Sequence, residues 1–162
     1  MAAVADHYRA VLIRVGSALL IVGALDIVMM VYCMANGIAY RSSFNIFAVA
    51  LGILLIRGSL WAASFVRFFS AFFVAGGVGL IVSLPFLQPM ALTLTELRHT
   101  SPLAIAPPLA LLALSLWIVR ELNAEPVLAA WQSAGKRVSL LVFPVILGFG
   151  LVVGLAGVLA FT

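Results

Sequence analysis

Charged side chains are scarce in this sequence. Asp, Glu, Lys and Arg together make up 9% of its 162 residues, whereas soluble domains contain about a quarter. Hydrophobic residues make up 65%, a share that a bilayer requires and a soluble domain of this size would not tolerate. The composition therefore indicates a polytopic membrane protein. Five spans of about 20 residues each would occupy most of the chain and leave no room for an extramembrane domain with its own core.

Cysteine is nearly absent, and no set of residues has the spacing of a catalytic centre. The one cysteine, Cys33, excludes an intrachain disulfide and a metal site built from several cysteines. The sequence offers no serine nucleophile with its base, no cysteine–histidine couple, no paired carboxylates and no phosphate-binding glycine loop. We therefore expect a protein that is not an enzyme and that needs no cofactor.

Positive charge exceeds negative charge, but it is dispersed along the chain. Nine basic and five acidic residues give a formal net charge of +4. The basic residues stand at the ends of apolar runs rather than in one cluster. This distribution favours a role in membrane topology and lipid-headgroup contact, and it argues against nucleic-acid binding.

The apolar runs predict an all-α fold: one transmembrane domain over residues 1–162, built as a bundle of five membrane-spanning helices. The predicted spans are about 15–35, 43–60, 67–87, 103–119 and 138–161. The second and third spans are expected to form a hairpin whose turn lies between Arg57 and Arg67. The pair Asn36-Gly37 is typical of the end of a helix, so it predicts where the first span stops.

The connection between the fourth and fifth spans contains a predicted short helix. Glu125-Pro126 is a typical helix start, because proline is tolerated in the first turn. Val127, Leu128 and Trp131 then fall on one face of that helix. We expect this short helix to lie on the cytoplasmic surface of the membrane.

The basic residues predict the orientation of the chain. With five spans, seven of them lie on one side of the membrane: Arg9, Arg14, Arg57, Arg67, Arg120, Lys136 and Arg137. Only Arg41 and Arg98 lie on the other side. This asymmetry places the N-terminus in the cytoplasm and the C-terminus outside, in a bacterial inner membrane. The first apolar run resembles a secretory signal, but it is too long for one and carries Asp26, so we expect a retained span.

Asp26 is the candidate binding residue, because its predicted depth is close to the middle of the bilayer. An ionised carboxylate at that depth costs about 2.5–3.5 kcal/mol on insertion scales. The basic residues all lie near span ends, so none of them obviously neutralises it. Three interpretations are open: a protonated carboxyl hydrogen-bonded within the chain, a contact with another subunit, or a site that binds or relays a proton or cation.

Three sulfur-containing residues lie about one turn beyond Asp26. Met30, Cys33 and Met34 are soft donors of the kind that suit Cu(I), and Met30 and Met34 are spaced i, i+4. Methionine is also ordinary filler at irregular helix contacts. Because no methionine or histidine series on another span completes a pathway, we predict no metal site.

Two further groups of residues have predicted roles at the membrane. Arg57, Arg67 and Arg120 are expected to reach lipid headgroups from the inner ends of their spans. Small residues recur at intervals of four on the third and fifth spans, which allows close helix packing. The residues of this packing set are Ala71, Ala75, Gly79, Gly150 and Gly154.

The sequence therefore favours a small non-catalytic subunit or accessory protein of a larger inner-membrane complex. Its partners are expected to be membrane lipids together with other membrane subunits or further copies of itself. The alternative is a homo-oligomeric channel or transporter that moves a proton, cation or small solute past Asp26. A third interpretation is a lipid-acting enzyme with a polar cleft near Arg57, Arg67 and Arg120.

Overall fold

The computed structural model describes residues 2–40, 45–87, 102–135 and 141–160. Within these ranges it contains six helices and no strand, so the predicted all-α fold is confirmed. The helices are α1 (Ala2–Ala35), α2 (Asn45–Ile56), α3 (Leu60–Leu87), α4 (Pro102–Leu122), α5 (Glu125–Ser133) and α6 (Val142–Ala160).

Two helices among the described residues are long and apolar enough to cross a membrane. They are the segments His7–Ala35 of α1 and Leu60–Phe86 of α3. The segments Ile46–Ile56 and Val142–Val158 are apolar but shorter. The structure thus shows two candidate spans, and the prediction of five spans is not confirmed by it.

Glycines in the left-handed region end α1 and α2. At Gly37, with φ +67°, the Ile38 N–H donates to the Cys33 carbonyl at 2.9 Å and the Gly37 N–H donates to the Met34 carbonyl at 3.3 Å. Gly58, with φ +84°, ends α2 in the same way. Both pairs of hydrogen bonds satisfy carbonyls that the last helical turn leaves without partners. The predicted end of the first helix at Asn36-Gly37 is confirmed.

The turn between α2 and α3 lies between Arg57 and Arg67, as predicted, but α3 begins at Leu60, before the predicted start of the third span at residue 67. This turn is short, because Ser59, the residue that caps α3, directly follows Gly58. The Ser59 Oγ accepts the Ala62 N–H at 3.4 Å, as an N-terminal helix cap does. Arg67 therefore lies inside α3, about two turns from its start. The described part of the second helix ends at Ile56, before the predicted end at about residue 60.

The chain divides into two compact units. Unit 1 comprises Met1–Val66 and Glu121–Val138, and unit 2 comprises Arg67–Arg120 and Ser139–Thr162. The boundary crosses α3 and α4, so each of these helices contributes to both units.

Unit 1 is organised by close contact between α1 and α2. A Cβ atom added at Gly16 would lie 2.8 Å from the Gly52 carbonyl oxygen, and one added at Gly52 would lie 2.8 Å from the Gly16 carbonyl oxygen. Only glycine at both positions permits this approach. Gly16 also faces Ile56 while Leu20 faces Gly52, so the two helices run antiparallel.

The short helix α5 belongs to the core of unit 1. Its predicted start is confirmed, since it begins at Glu125 with Pro126 in its first turn. Val127 and Trp131 are buried, α5 packs on α1, and the Trp131 indole N–H donates to the Leu60 carbonyl at 3.4 Å. The protein itself therefore covers these two apolar side chains, which the sequence had assigned to the membrane surface.

Unit 2 contains α6 and parts of α3 and α4. Phe68 and Phe143 contact each other near the start of α3 and α6, and Gly79 contacts Val152 further along both helices, so α3 and α6 run parallel. Leu112 of α4 packs against Gly77, while Val119 shares a cavity with Ala71. Residue numbers on α4 thus rise as those on α3 fall, and these two helices are antiparallel.

Candidate functional site

Asp26 lies on the second half of α1, inside the candidate span His7–Ala35. Its side chain is half-buried. Around it, α1 exposes large apolar side chains, among them Leu25, Val28 and Met29. The carboxyl group is therefore set in a predominantly apolar stretch of helix surface, where it needs a hydrogen-bond partner.

Tyr40 provides that partner. The turn at Gly37 reverses the chain, and the segment 38–40 returns alongside α1. The Tyr40 hydroxyl donates a hydrogen bond to the Asp26 Oδ1, and it also lies 3.3 Å from the Asp26 backbone carbonyl oxygen. Of the three interpretations left open for Asp26, a hydrogen bond within its own chain therefore has a partner in the structure, the Tyr40 hydroxyl.

Sequence reasoning did not name Tyr40, because it considered cations and carbonyl groups as partners of Asp26 and not a tyrosine hydroxyl. A tyrosine hydroxyl is an equally suitable donor to a carboxyl oxygen, whether that carboxyl group is protonated or ionised. The available signal was the turn residue Gly37 followed closely by Tyr40. That pattern places a tyrosine on a segment that turns back after α1, but how close this segment comes to Asp26 depends on the fold.

The sulfur-containing residues beyond Asp26 lie in different surroundings. Cys33 is buried, Met30 is half-buried and Met34 is 71% exposed. The side chains of Cys33 and Met34 therefore do not share one enclosed site. The described ranges also contain no group of three or more His, Cys, Asp or Glu residues that could hold a metal ion.

The three arginines predicted to contact headgroups divide into two kinds. Arg57, in the turn after α2, and Arg120, in the last turn of α4, are exposed. Arg67 is only 7% exposed, which follows from its place inside α3. A side chain this buried presents little surface to headgroups, and headgroup contact stays a prediction for all three arginines. The basic residues Arg41, Arg98, Lys136 and Arg137 lie outside the described residues.

The small residues of α3 pack inside unit 2. Ala71 and Ala75 are buried, and a Cβ at Gly79 would lie 3.4 Å from atoms of Phe149 and Val152. The facing glycine on α6 is Gly148, where a Cβ would lie 2.5 Å from the Phe72 carbonyl oxygen. Sequence reasoning did not select Gly148 for this contact, because α6 carries glycines on more than one face.

Gly150 and Gly154, the glycines that were selected on α6, lie on a different face. No described atom comes within 4 Å of a Cβ added at either position, and the same holds for Gly157. Spacings of four and three place these three residues together on one side of the helix. We call this side, formed by Gly150, Gly154 and Gly157, the open glycine face.

Comparison with protein-family models, with curated proteins and with solved structures finds no match to this chain.

Proposed function

We propose that this chain is a non-catalytic subunit or accessory protein of a larger membrane complex, embedded in a bacterial inner membrane. In this proposal five segments cross the bilayer, the N-terminus is cytoplasmic and the C-terminus is external. The chain contributes packing surfaces to the complex rather than a reaction. Its partners are lipids and the transmembrane helices of another subunit.

Exposed apolar surface supports the membrane location. Between residues 21 and 34, α1 exposes a series of large apolar side chains: Ile21, Val22, Leu25, Val28, Met29, Val31, Tyr32 and Met34. On α6, most large apolar residues from Val142 to Val158 are likewise exposed. Apolar patches this extensive mark membrane or protein contact, because water would make them costly.

Helix directions support successive crossings of the bilayer. Within unit 1, α1 and α2 are antiparallel. Within unit 2, α4 is antiparallel to α3 and α6 is parallel to α3. A chain that crosses a membrane at α3, α4 and α6 in turn would have the same alternation.

The open glycine face carries the proposal of a partner subunit. One face of α6 already packs on α3 through Gly148, yet the helix keeps Gly150 and Gly154 where nothing in the described chain approaches them. In membranes, small residues spaced four apart let a second helix approach closely. We infer that a helix of another subunit packs against this face.

The hydrogen bond between Tyr40 and Asp26 supports this proposal over the transport alternative. A carboxyl group that binds a moving ion must be free to exchange its partners along a pathway. Here a tyrosine of the same chain already donates to Asp26, and that arrangement suits a structural role.

The experiment compares the native complex size of the wild type with that of two double variants in mild detergent. Gly150→Leu with Gly154→Leu fills the open glycine face. Leu151→Phe with Leu155→Phe adds bulk to exposed positions of the same helix and serves as the matched control.

We expect the wild type and the control to elute with a second polypeptide at fixed stoichiometry, and the double leucine variant to elute alone. A wild-type chain that is purely monomeric, or that forms a ring of identical copies, would contradict the proposal. A ring would instead favour the channel. Proteoliposome flux that is abolished by Asp26→Asn would then establish the channel.

A further inference from the structure

Unit 2 contains an apolar cavity between α3, α4 and α6. Its volume is about 260 Å³. Its lining is entirely apolar and includes Ala71, Ala75 and Val78 of α3, Val119 of α4, and Val145 and Phe149 of α6. Val78 and Val145 are 46% and 44% exposed, so the cavity opens to the surface of the protein.

The cavity has the length of an acyl chain segment. From Ala71 to Val78 the wall formed by α3 extends about 10 Å, at 1.5 Å per residue. One leaflet of the hydrocarbon core is about 15 Å thick. A lipid chain that runs parallel to α3 would therefore fill the cavity over most of a leaflet. Water is a poor occupant, since a cavity lined only by apolar groups stays dry and accepts apolar molecules.

Positive charge lies at one end of this cavity. Arg120 directly follows the lining residue Val119 and is exposed. Arg67 precedes the lining residue Ala71 by four positions, about one helical turn, and is buried. Because α3 and α4 are antiparallel, both arginines belong to the same end. The acidic residue next to Arg120 in sequence is Glu121, whose carboxylate lies 3.9 Å from the Arg14 guanidinium in unit 1.

We propose that this cavity binds one acyl chain of an anionic phospholipid whose phosphate contacts Arg120. The guanidinium group matches a phosphate with two parallel hydrogen bonds. Arg67 adds a second positive charge at the same end, where burial reduces screening by salt. This inference rests on the proposed membrane location of unit 2, but it does not require the partner subunit.

The test is native mass spectrometry of the full chain, released from nanodiscs that contain equal amounts of phosphatidylglycerol and phosphatidylcholine with identical acyl chains. Arg120→Gln removes the phosphate contact, and Val145→Trp blocks the mouth of the cavity. Arg9→Gln, at an exposed position of α1 in unit 1, is the charge control. Ile146→Trp, at an exposed neighbour that does not line the cavity, is the size control.

We expect the wild type to retain one phosphatidylglycerol in preference to phosphatidylcholine by about tenfold, because both lipids have the phosphate but only phosphatidylcholine adds a choline cation that the arginines repel. Arg120→Gln removes the preference, Val145→Trp lowers retention of both lipids, and the two controls behave as the wild type. Val78→Phe, at the opposite side of the mouth, replaces Val145→Trp if the latter loses helical circular dichroism.

Equal retention of the two lipids by the wild type would overturn the inference, and so would retention that Arg120→Gln and the mouth variants leave unchanged. Loss of a partner polypeptide does not affect this readout, because it counts lipids on the single chain. Failure of the lipid site and failure of the proposed subunit role are therefore distinguishable.

Discussion

Asp26 carries the one acidic side chain that the candidate span His7–Ala35 contains. Sequence composition identified it, because hydrocarbon strongly disfavours a carboxylate. Its partner Tyr40 was not predictable in the same way. Tyr40 reaches Asp26 only because Gly37 adopts a positive φ and the following segment returns along α1. The path of the backbone in the folded chain, and not the type of residue alone, decides whether Tyr40 and Asp26 come into contact.

Removal of the Tyr40 hydroxyl tests this hydrogen bond. Tyr40→Phe leaves a carboxyl group without this donor, so we expect the free energy of unfolding to fall by about 1–3 kcal/mol. Tyr32→Phe is the matched control, because Tyr32 lies on α1, the helix that carries Asp26, and is 59% exposed. The measurement is the loss of helical circular dichroism as SDS is titrated into detergent-solubilised protein. Equal losses for the two variants would show that the Tyr40 hydroxyl contributes nothing.

Substitution of single glycines on α6 tests the two faces of that helix. Gly148→Ala places a methyl group 2.5 Å from the Phe72 carbonyl oxygen, so α3 and α6 must separate. We expect a loss of about 1–3 kcal/mol, as for other overpacked sites. Gly150→Ala enters open space and should not destabilise the isolated chain. If the two variants unfold at the same SDS fraction, the assignment of the inner and open faces of α6 is wrong.

At the scale of elements, the sequence predicted the presence of each helix better than the residues at which the helices begin and end. The prediction ended the second span at about residue 60 and began the third at Arg67, on the assumption that cations lie near the edges of spans. The backbone instead ends α2 at Ile56, before the turn at Gly58, and begins α3 at Leu60, after the capping residue Ser59, so Arg67 lies inside α3 and is buried. Local turn chemistry in the sequence contained this information, since Gly58-Ser59 combines a helix stop with a helix cap.

The environment of α5 was also misjudged. Its start and its apolar face follow from Glu125-Pro126 and from the spacing of Val127 and Trp131. Periodicity cannot tell whether such a face meets lipid or protein. In the structure the face is covered by unit 1, and Trp131 is 3% exposed.

Tryptophan truncation separates a docked α5 from one that lies free on a membrane. Trp131→Ala removes a buried ring and its hydrogen bond to Leu60, and we expect a loss of about 3–5 kcal/mol. Trp61→Ala is the control, since Trp61 is 60% exposed and only stacks on Phe65. Its expected loss is about 0.5–1.5 kcal/mol. The SDS titration described above measures both, and similar losses would indicate that α5 does not contribute to the core.

At the scale of the whole molecule, composition predicts the helical class and the membrane location, but the number of spans depends on segment lengths. The 12 residues of α2 extend about 18 Å, less than the bilayer core of about 30 Å. Apolar sequence in 43–60 suggested a longer helix, because hydropathy alone does not register the stop at Gly58. The five-span proposal thus requires the residues next to α2 to complete its crossing.

Orientation is the central claim, because an odd number of crossings puts the two ends of the chain on opposite sides. Seven basic residues against two predict which side of the membrane is cytoplasmic. No packing contact within either unit depends on it. Only a measurement across an intact membrane decides it.

The most direct measurement is labelling of single cysteines with a membrane-impermeant maleimide in intact cells and in inverted membrane vesicles. Cys33→Ser provides the cysteine-free background, and Ala2→Cys, Asn123→Cys and Thr162→Cys are introduced one at a time. The account predicts that positions 2 and 123 react only in inverted vesicles and that position 162 reacts only in intact cells. Reaction of positions 2 and 162 from the same side would contradict it.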